Sequence, residues 1–218
     1  NSMTPIVRMA AWDYWPGRNP VVEKHVHSVV EAGAEYIEVS NEPNIEWDIA
    51  NWQDDAKVNQ IAHSWWMDTR FTIRAGGKAA FPAMAPTDRG AVHQTRSGVM
   101  WAIQLLNWLD KHHRDEAKEY LKRGQLWLAV HVSPFNKPFD YDPDQGWYMD
   151  DFCLLYYETL QHRFRDTFGI VPETISTEGG VYSPSHMCDL NFPVTYDGWV
   201  QDDQWRPIYN WDTWGDHI

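Results

Sequence analysis

The stretch Tyr36-Ile37-Glu38-Val39-Ser40-Asn41-Glu42-Pro43-Asn44 decides how the chain is read. A short run of strand-forming residues, Tyr36 to Ser40, is followed by a carboxylate and then by proline, which cannot donate to a strand ladder. A second stretch of the same design, Thr174-Ile175-Ser176-Thr177-Glu178-Gly179-Gly180, ends on Glu178 and a glycine turn. If both runs are strands of one parallel barrel, the two acids converge at its carboxyl end, where such folds place their chemistry. Strict alternation sends Asn41 and Glu42 to opposite faces, so both reach one cleft only if the strand end bends.

Outward from these two runs the same pattern repeats. Apolar runs fall at Pro5 to Trp12, Tyr36 to Ser40, Ala79 to Ala85, Leu126 to Ser133 and Thr174 to Glu178. Helices are expected at about Pro20 to Ala32, Ala56 to Ala75, Ser97 to Arg123 and Asp150 to Phe168. The first carries Val22, Val26, Val29 and Val30 at helical spacing before Gly33 stops it, and the third ends in Lys122-Arg123-Gly124. Alternating βα units argue for an α/β fold with a parallel sheet. The expectation is a single domain over 1–218, a (β/α)8 TIM barrel of which five strands are recognisable. Residues 181–218 then form a long loop or tail without a clear helical or strand period.

Composition narrows the partners. With 31 acidic against 18 basic residues, net -13, the chain is a poor match for a phosphate backbone, so no nucleic-acid partner is expected. No run of about 18 apolar residues exists, so no membrane span is expected. The amino end, Asn1-Ser2-Met3, has no signal-peptide pattern; a leader removed from a mature form leaves export open, and the sequence fixes no compartment. Cys153 and Cys188 show no metal-ligand spacing. Fourteen Trp in 218 residues is the compositional anomaly, and many stand in polar stretches, where flat aromatic faces suit sugar rings as well as loop packing.

The combination of Asn41-Glu42-Pro43 at one strand end, two intervening βα units and Glu178-Gly179 at a later strand end resembles the clan A glycoside hydrolases. These are retaining (β/α)8 enzymes that include family 5. The resemblance covers about residues 5–180. It implies that Glu42, at the end of strand four, is the acid/base and that Glu178, at the end of strand seven, is the nucleophile. Strands three to seven are then present, and the remaining strands would come from another chain or segment. The family's Arg near strand two and Trp at strand eight fall in the missing parts. Its H-x-Y arrangement after strand six is represented by His131-Val132-Ser133, so His131 is retained while the Tyr is not.

The reaction expected on this basis is hydrolysis of a glycosidic bond in an oligo- or polysaccharide, with no cofactor and no metal. Retaining hydrolysis needs one protonated carboxyl and one ionised carboxylate about 5–5.5 Å apart, against about 6.5–9.5 Å for an inverting pair. Substrate contacts are expected from Asn41, His131, Trp12, Asp13 and Tyr182. Arg8 and Glu38, on neighbouring runs, read as an inward-facing structural salt bridge. His112-His113 reads as solvated. Two other classes stay open: a catalytically impaired carbohydrate-binding barrel fragment, and a metal-dependent barrel hydrolase using Glu42, His131, Glu178 and Asp13 around a divalent cation.

Overall fold

The computed structural model describes residues 5–8, 20–44, 53–85, 97–132, 156–179, 194–195 and 199–200. Five strands, β1 (Ile6–Arg8), β2 (Tyr36–Glu38), β3 (Lys78–Phe81), β4 (Leu126–Val132) and β5 (Thr174–Gly179), form one sheet in the order β1-β2-β3-β4-β5. Every pairing in it is parallel. Between consecutive strands run α1 (Pro20–Glu31), α2 (Asp55–Arg74), α3 (Gly98–Lys122) and α4 (Tyr156–Phe168). Each helix packs against the next, so all four line one face of the sheet. A separate antiparallel pair, β6 (Val194–Thr195) with β7 (Trp199–Val200), lies in the stretch read from sequence as a tail without strands.

The sheet is curled into a half-barrel, and side chains on its concave face record the curl. Strands lie about 4.8 Å apart, so β1 and β5 would be about 19 Å apart in a flat sheet. Yet Arg8 on β1 hydrogen-bonds Glu178 on β5, and Thr177 on β5 donates to Glu38 on β2 at 3.3 Å. Such reach requires the edges to turn toward each other. The architecture read from sequence is thus present as a parallel α/β half-barrel.

Helix ends obey local chemistry. Asp54 caps α2 by accepting from the amides of Ala56 (3.0 Å) and Lys57 (3.2 Å), and Ser97 caps α3 by accepting from Met100 (3.3 Å). Gly33 and Gly124 both take the left-handed conformation (φ +97° and +63°) at the turns where the expected helix stops lay. α4 begins at Tyr156 among the described residues, later than the Asp150 expected. β3 ends at Phe81 because Pro82 interrupts the run read as Ala79 to Ala85, leaving Ala83 to form an isolated bridge with Asn41.

The two faces of the sheet divide the apolar residues by alternation. Ile37, Val39, Phe81, Leu126, Leu128 and Val130 pack with the helices in the main core, where Trp65, Trp66 and Trp101 are fully buried. On the concave side Ala80, Ala83 and Ala129 leave room for Trp127, whose indole N–H donates to the Lys78 carbonyl at 3.1 Å. The Trp residues whose side chains are described, Trp65, Trp66, Trp101, Trp108 and Trp127, are all buried. Most of the Trp in polar stretches, read as suited to sugar rings as well as to loop packing, lie outside the described residues. His113, read as solvated, instead packs between Trp66 (ring centroids 5.3 Å) and Trp108 (5.2 Å) at a break in the helical backbone of α3.

One buried acid makes the core sensitive to pH. Asp68 on α2 is 6% exposed, and burial pushes its carboxyl up from 3.8 to about 7. Below pH 3.8 the group is protonated in both folded and unfolded chains and contributes nothing. Between pH 3.8 and about 7 only the folded chain holds the proton, so stability falls as pH rises; above 7 the loss is complete. The shift corresponds to at most about 4 kcal/mol. Asp68→Asn should therefore raise stability to urea at pH 8 by up to that amount and leave it unchanged near pH 3.5. Equal gains at both pH values would exclude this origin.

Candidate active site

The carboxyl ends of β1, β2, β4 and β5 and the turn after β2 bring five ionisable side chains to one point. Arg8 is the hub. Its Nε donates to Glu38 Oε2 at 2.8 Å, its Nη1 donates to Glu178 Oε1, and its Nη2 lies 3.2 Å from His131 Nε2. The other ring nitrogen of His131, Nδ1, lies 2.8 Å from Glu42 Oε1. A continuous chain of contacts thus runs from Glu42 through His131 and Arg8 to Glu178, with Glu38 beneath it. Burial opposes the charge on Arg8, but hydrogen bonds and charge from Glu38, then Glu178, outweigh it and raise its pKa, so the guanidinium is firmly protonated.

Two backbone irregularities make this convergence possible. Along β5 the register with β4 runs Val130↔Ser176 and then His131↔Glu178, so Thr177 is an extra residue in a bulge. Without the bulge Thr177 would pair with His131, and Glu178 would share the phase of Val130 and Val132, which face the helix-side core. The inserted residue turns Glu178 onto the concave face, where its side chain is 43% exposed and open to a ligand, and Thr177 binds Glu38.

At the end of β2, Glu42 takes φ +42°, a left-handed conformation rare for a residue with a side chain. Such a conformation costs on the order of 1–3 kcal/mol and persists where surrounding contacts over-determine it. Here the Glu42 amide donates to the Ala83 carbonyl at 3.0 Å, and Asn41 pairs in parallel with Ala83. Fully buried Asn44 closes the turn: its Nδ2 donates to the Ala85 carbonyl and its Oδ1 accepts from the Ala85 amide, both at 2.8 Å. The bend that sequence alternation demanded is therefore built from Glu42 to Asn44 and fastened to the end of β3.

Of the residues expected from sequence, Glu42, His131 and Glu178 come together: one ligand-capable atom from each lies within 4.8 Å of the others. Asn41 is half-buried beside Glu42 in the chain. Trp12, Asp13 and Tyr182 lie outside the described residues. Arg8 was read as half of a structural salt bridge; the bridge to Glu38 is present, but the same guanidinium also holds Glu178 and His131. The signal available in sequence was a lone cation inside an apolar run, which marks burial with a partner but does not name a third and fourth contact. Glu38 is wholly buried, and Thr177 entered the site through a bulge no sequence pattern announces.

Elsewhere an open groove of about 690 Å³ lies along α2 and α3, lined by Asn59, Gln60, His63, Trp108, His112 and His113. Among the described residues, the grouping of three metal-capable side chains within mutual reach is Glu42, His131 and Glu178, and Arg8 already presents its positive charge to two of these. Compared with models of known protein families, with curated proteins and with solved structures, the chain matches none.

The Asn44 clamp gives a direct test of how the bend is held. Asn44→Ala leaves the buried amide and carbonyl of Ala85 without their side-chain partners, which should cost about 2–6 kcal/mol at about 1–3 kcal/mol for each group. Urea unfolding measures the loss. A cost below about 0.5 kcal/mol would show that the turn from Glu42 to Asn44 is held by other contacts.

Proposed function

We propose that this chain is a retaining glycoside hydrolase of the clan A type, acting on an oligo- or polysaccharide with Glu42 as acid/base and Glu178 as nucleophile. The observation that carries the reading is the pairing of these two carboxylates at the carboxyl end of a parallel half-barrel, with oxygens within 4.8 Å of each other. That upper bound is compatible with the spacing of about 5–5.5 Å for direct attack, and lies below the separation of about 6.5–9.5 Å that accommodates an intervening water. Full barrel closure belongs to the same proposal, with the remaining strands supplied by another chain or segment.

In the first step the Glu178 carboxylate bonds to the anomeric carbon while the bond to the leaving oxygen breaks and Glu42 gives that oxygen its proton. In the second, Glu42 takes a proton from water as the water oxygen bonds to the anomeric carbon and the bond to Glu178 breaks. Exposure fits these roles. Glu178 is open to a ligand, whereas Glu38 is sealed below and serves Arg8. Asn41 is proposed to hydrogen-bond a sugar hydroxyl beside the scissile bond, with Trp12, Asp13 and Tyr182 lining the cleft.

The metal-dependent alternative meets a physical obstacle. A divalent cation held by Glu42, His131 and Glu178 would sit against the Arg8 guanidinium, which hydrogen-bonds Glu178 and faces His131. Like charges at such distance repel strongly in a partly buried site. Activity is therefore expected to survive chelation.

The decisive experiment is trapping with a mechanism-based fluorosugar followed by peptide mass analysis. The label is expected on Glu178, and label on any other residue overturns the assignment. Glu178→Gln should abolish turnover. Glu42→Gln should lower it by about 10²–10⁴-fold, the usual contribution of a general acid. The loss should be smaller for a substrate whose leaving group needs no protonation, and an equal loss on both substrates would remove Glu42 from the acid role.

A further inference from the structure

Arg8 does more than hold Glu178: we infer that it fixes the tautomer of His131, and through it selects which oxygen of each catalytic carboxylate reacts. The second half of this inference rests on the glycosidase reading; the first rests on geometry alone. A guanidinium nitrogen has hydrogens to give and no lone pair to accept with. With Arg8 Nη2 at 3.2 Å, His131 Nε2 must therefore be the acceptor and carry no proton. A neutral imidazole has one N–H, which is then on Nδ1, and it donates to Glu42 Oε1 at 2.8 Å.

Among the described residues, two carboxylates near Nε2 must be weighed. Glu38 Oε1 lies 4.0 Å away and Glu178 Oε1 3.9 Å away, both beyond hydrogen-bond range. Each is engaged elsewhere, Glu178 Oε1 with Arg8 and Glu38 Oε1 with Thr177. A proton on Nε2 would point at the Arg8 N–H, so neither the other tautomer nor the doubly protonated ring fits.

The consequences follow atom by atom. Glu42 Oε1 accepts from His131 whether or not the acid is protonated, so the proton delivered to the leaving oxygen, and later taken from water, is carried by Oε2. Glu178 Oε1 is held by Arg8 Nη1, so Oε2 is the oxygen that bonds to the anomeric carbon. When that bond forms Glu178 loses its charge, but Arg8 stays paired with buried Glu38 and keeps its place against His131. Glu38 is thus a positioning residue: it holds the cation that sets the ring.

Long-range nitrogen–proton NMR correlation on the uniformly labelled chain reads the tautomer directly. The His131 signal is identified by its loss in His131→Asn. At neutral pH the wild-type ring is expected with its single proton on Nδ1. A proton on Nε2, or on both nitrogens, overturns the inference whatever the variants do. Arg8→Met should let the ring populate the Nε2–H tautomer, and an unchanged tautomer in that variant also overturns it.

Trapping with the fluorosugar should leave the wild-type tautomer unchanged, since the ester forms on the oxygen Arg8 does not hold. A tautomer switch on trapping overturns the oxygen assignment. Failure of the sugar to label Glu178, with the Nδ1–H tautomer intact, would instead refute the glycosidase reading and leave the Arg8–His131 relation standing.

Discussion

One guanidinium ties the described half-barrel together at the end that carries its acids. Arg8 stands on the first strand of the sheet and touches side chains from β2, β4 and β5, so it reaches every strand but one. Those contacts are possible only on a curled sheet, and in turn they draw its two edges toward each other. Removing a charge from water is costly unless it is paired and hydrogen-bonded on all sides. Arg8 meets that condition with two carboxylates and an imidazole nitrogen, and buried Glu38 meets it with Arg8 and Thr177.

The rest of the site is arranged around that cation by departures from regular strand geometry. β5 would aim Glu178 into the helix-side core, and one inserted residue, Thr177, turns it back. β2 continues beyond its last ladder pair into a left-handed Glu42, and the backbone there is fastened to Ala83 and Ala85 instead of to another strand residue. Strained or irregular backbone concentrates where side chains must be aimed, and the surrounding hydrogen bonds supply what the local conformation costs. Both irregularities fall at the carboxyl end of the sheet, at Thr177 beside Glu178 and at Glu42 itself.

A division of labour among three glutamates follows from their surroundings. Glu38, wholly enclosed, can only be a counter-ion. Glu178, paired with Arg8, stays exposed. Glu42 contacts an imidazole instead of the guanidinium. Under the proposed reaction that asymmetry is what separates an acid from a nucleophile, since environment, not residue type, assigns the two roles. At the opposite end of the sheet, Lys78, Tyr36, Glu35 and Glu173 form a second polar cluster, with Lys78 bridging Glu35 at 2.7 Å and Tyr36 bonding Glu173. Between the two lies Trp127, packed among alanines, so the interior has a solid floor and a charged rim.

What the sequence determined by itself was the alternation of elements and the location of the acids along it. Helical spacing, capping residues and glycine stops are local properties, so the four helices and five strands were legible at Val22 to Gly33 or at Thr174 to Glu178 without any knowledge of the fold. That Glu178 lies at the end of a strand was legible for the same reason, whereas β2 stops at Glu38 and Glu42 stands in the turn beyond it. Three things were decided only by tertiary structure. The bulge at Thr177 depends on the register between β4 and β5, which no single strand encodes. The packing of His113 between Trp66 and Trp108 depends on how α2 meets α3, whereas its own segment is highly charged. The reach of Arg8 to Glu178 depends on the curl of the whole sheet, because residues 170 apart in the chain meet only when the first and last strands are bent toward each other.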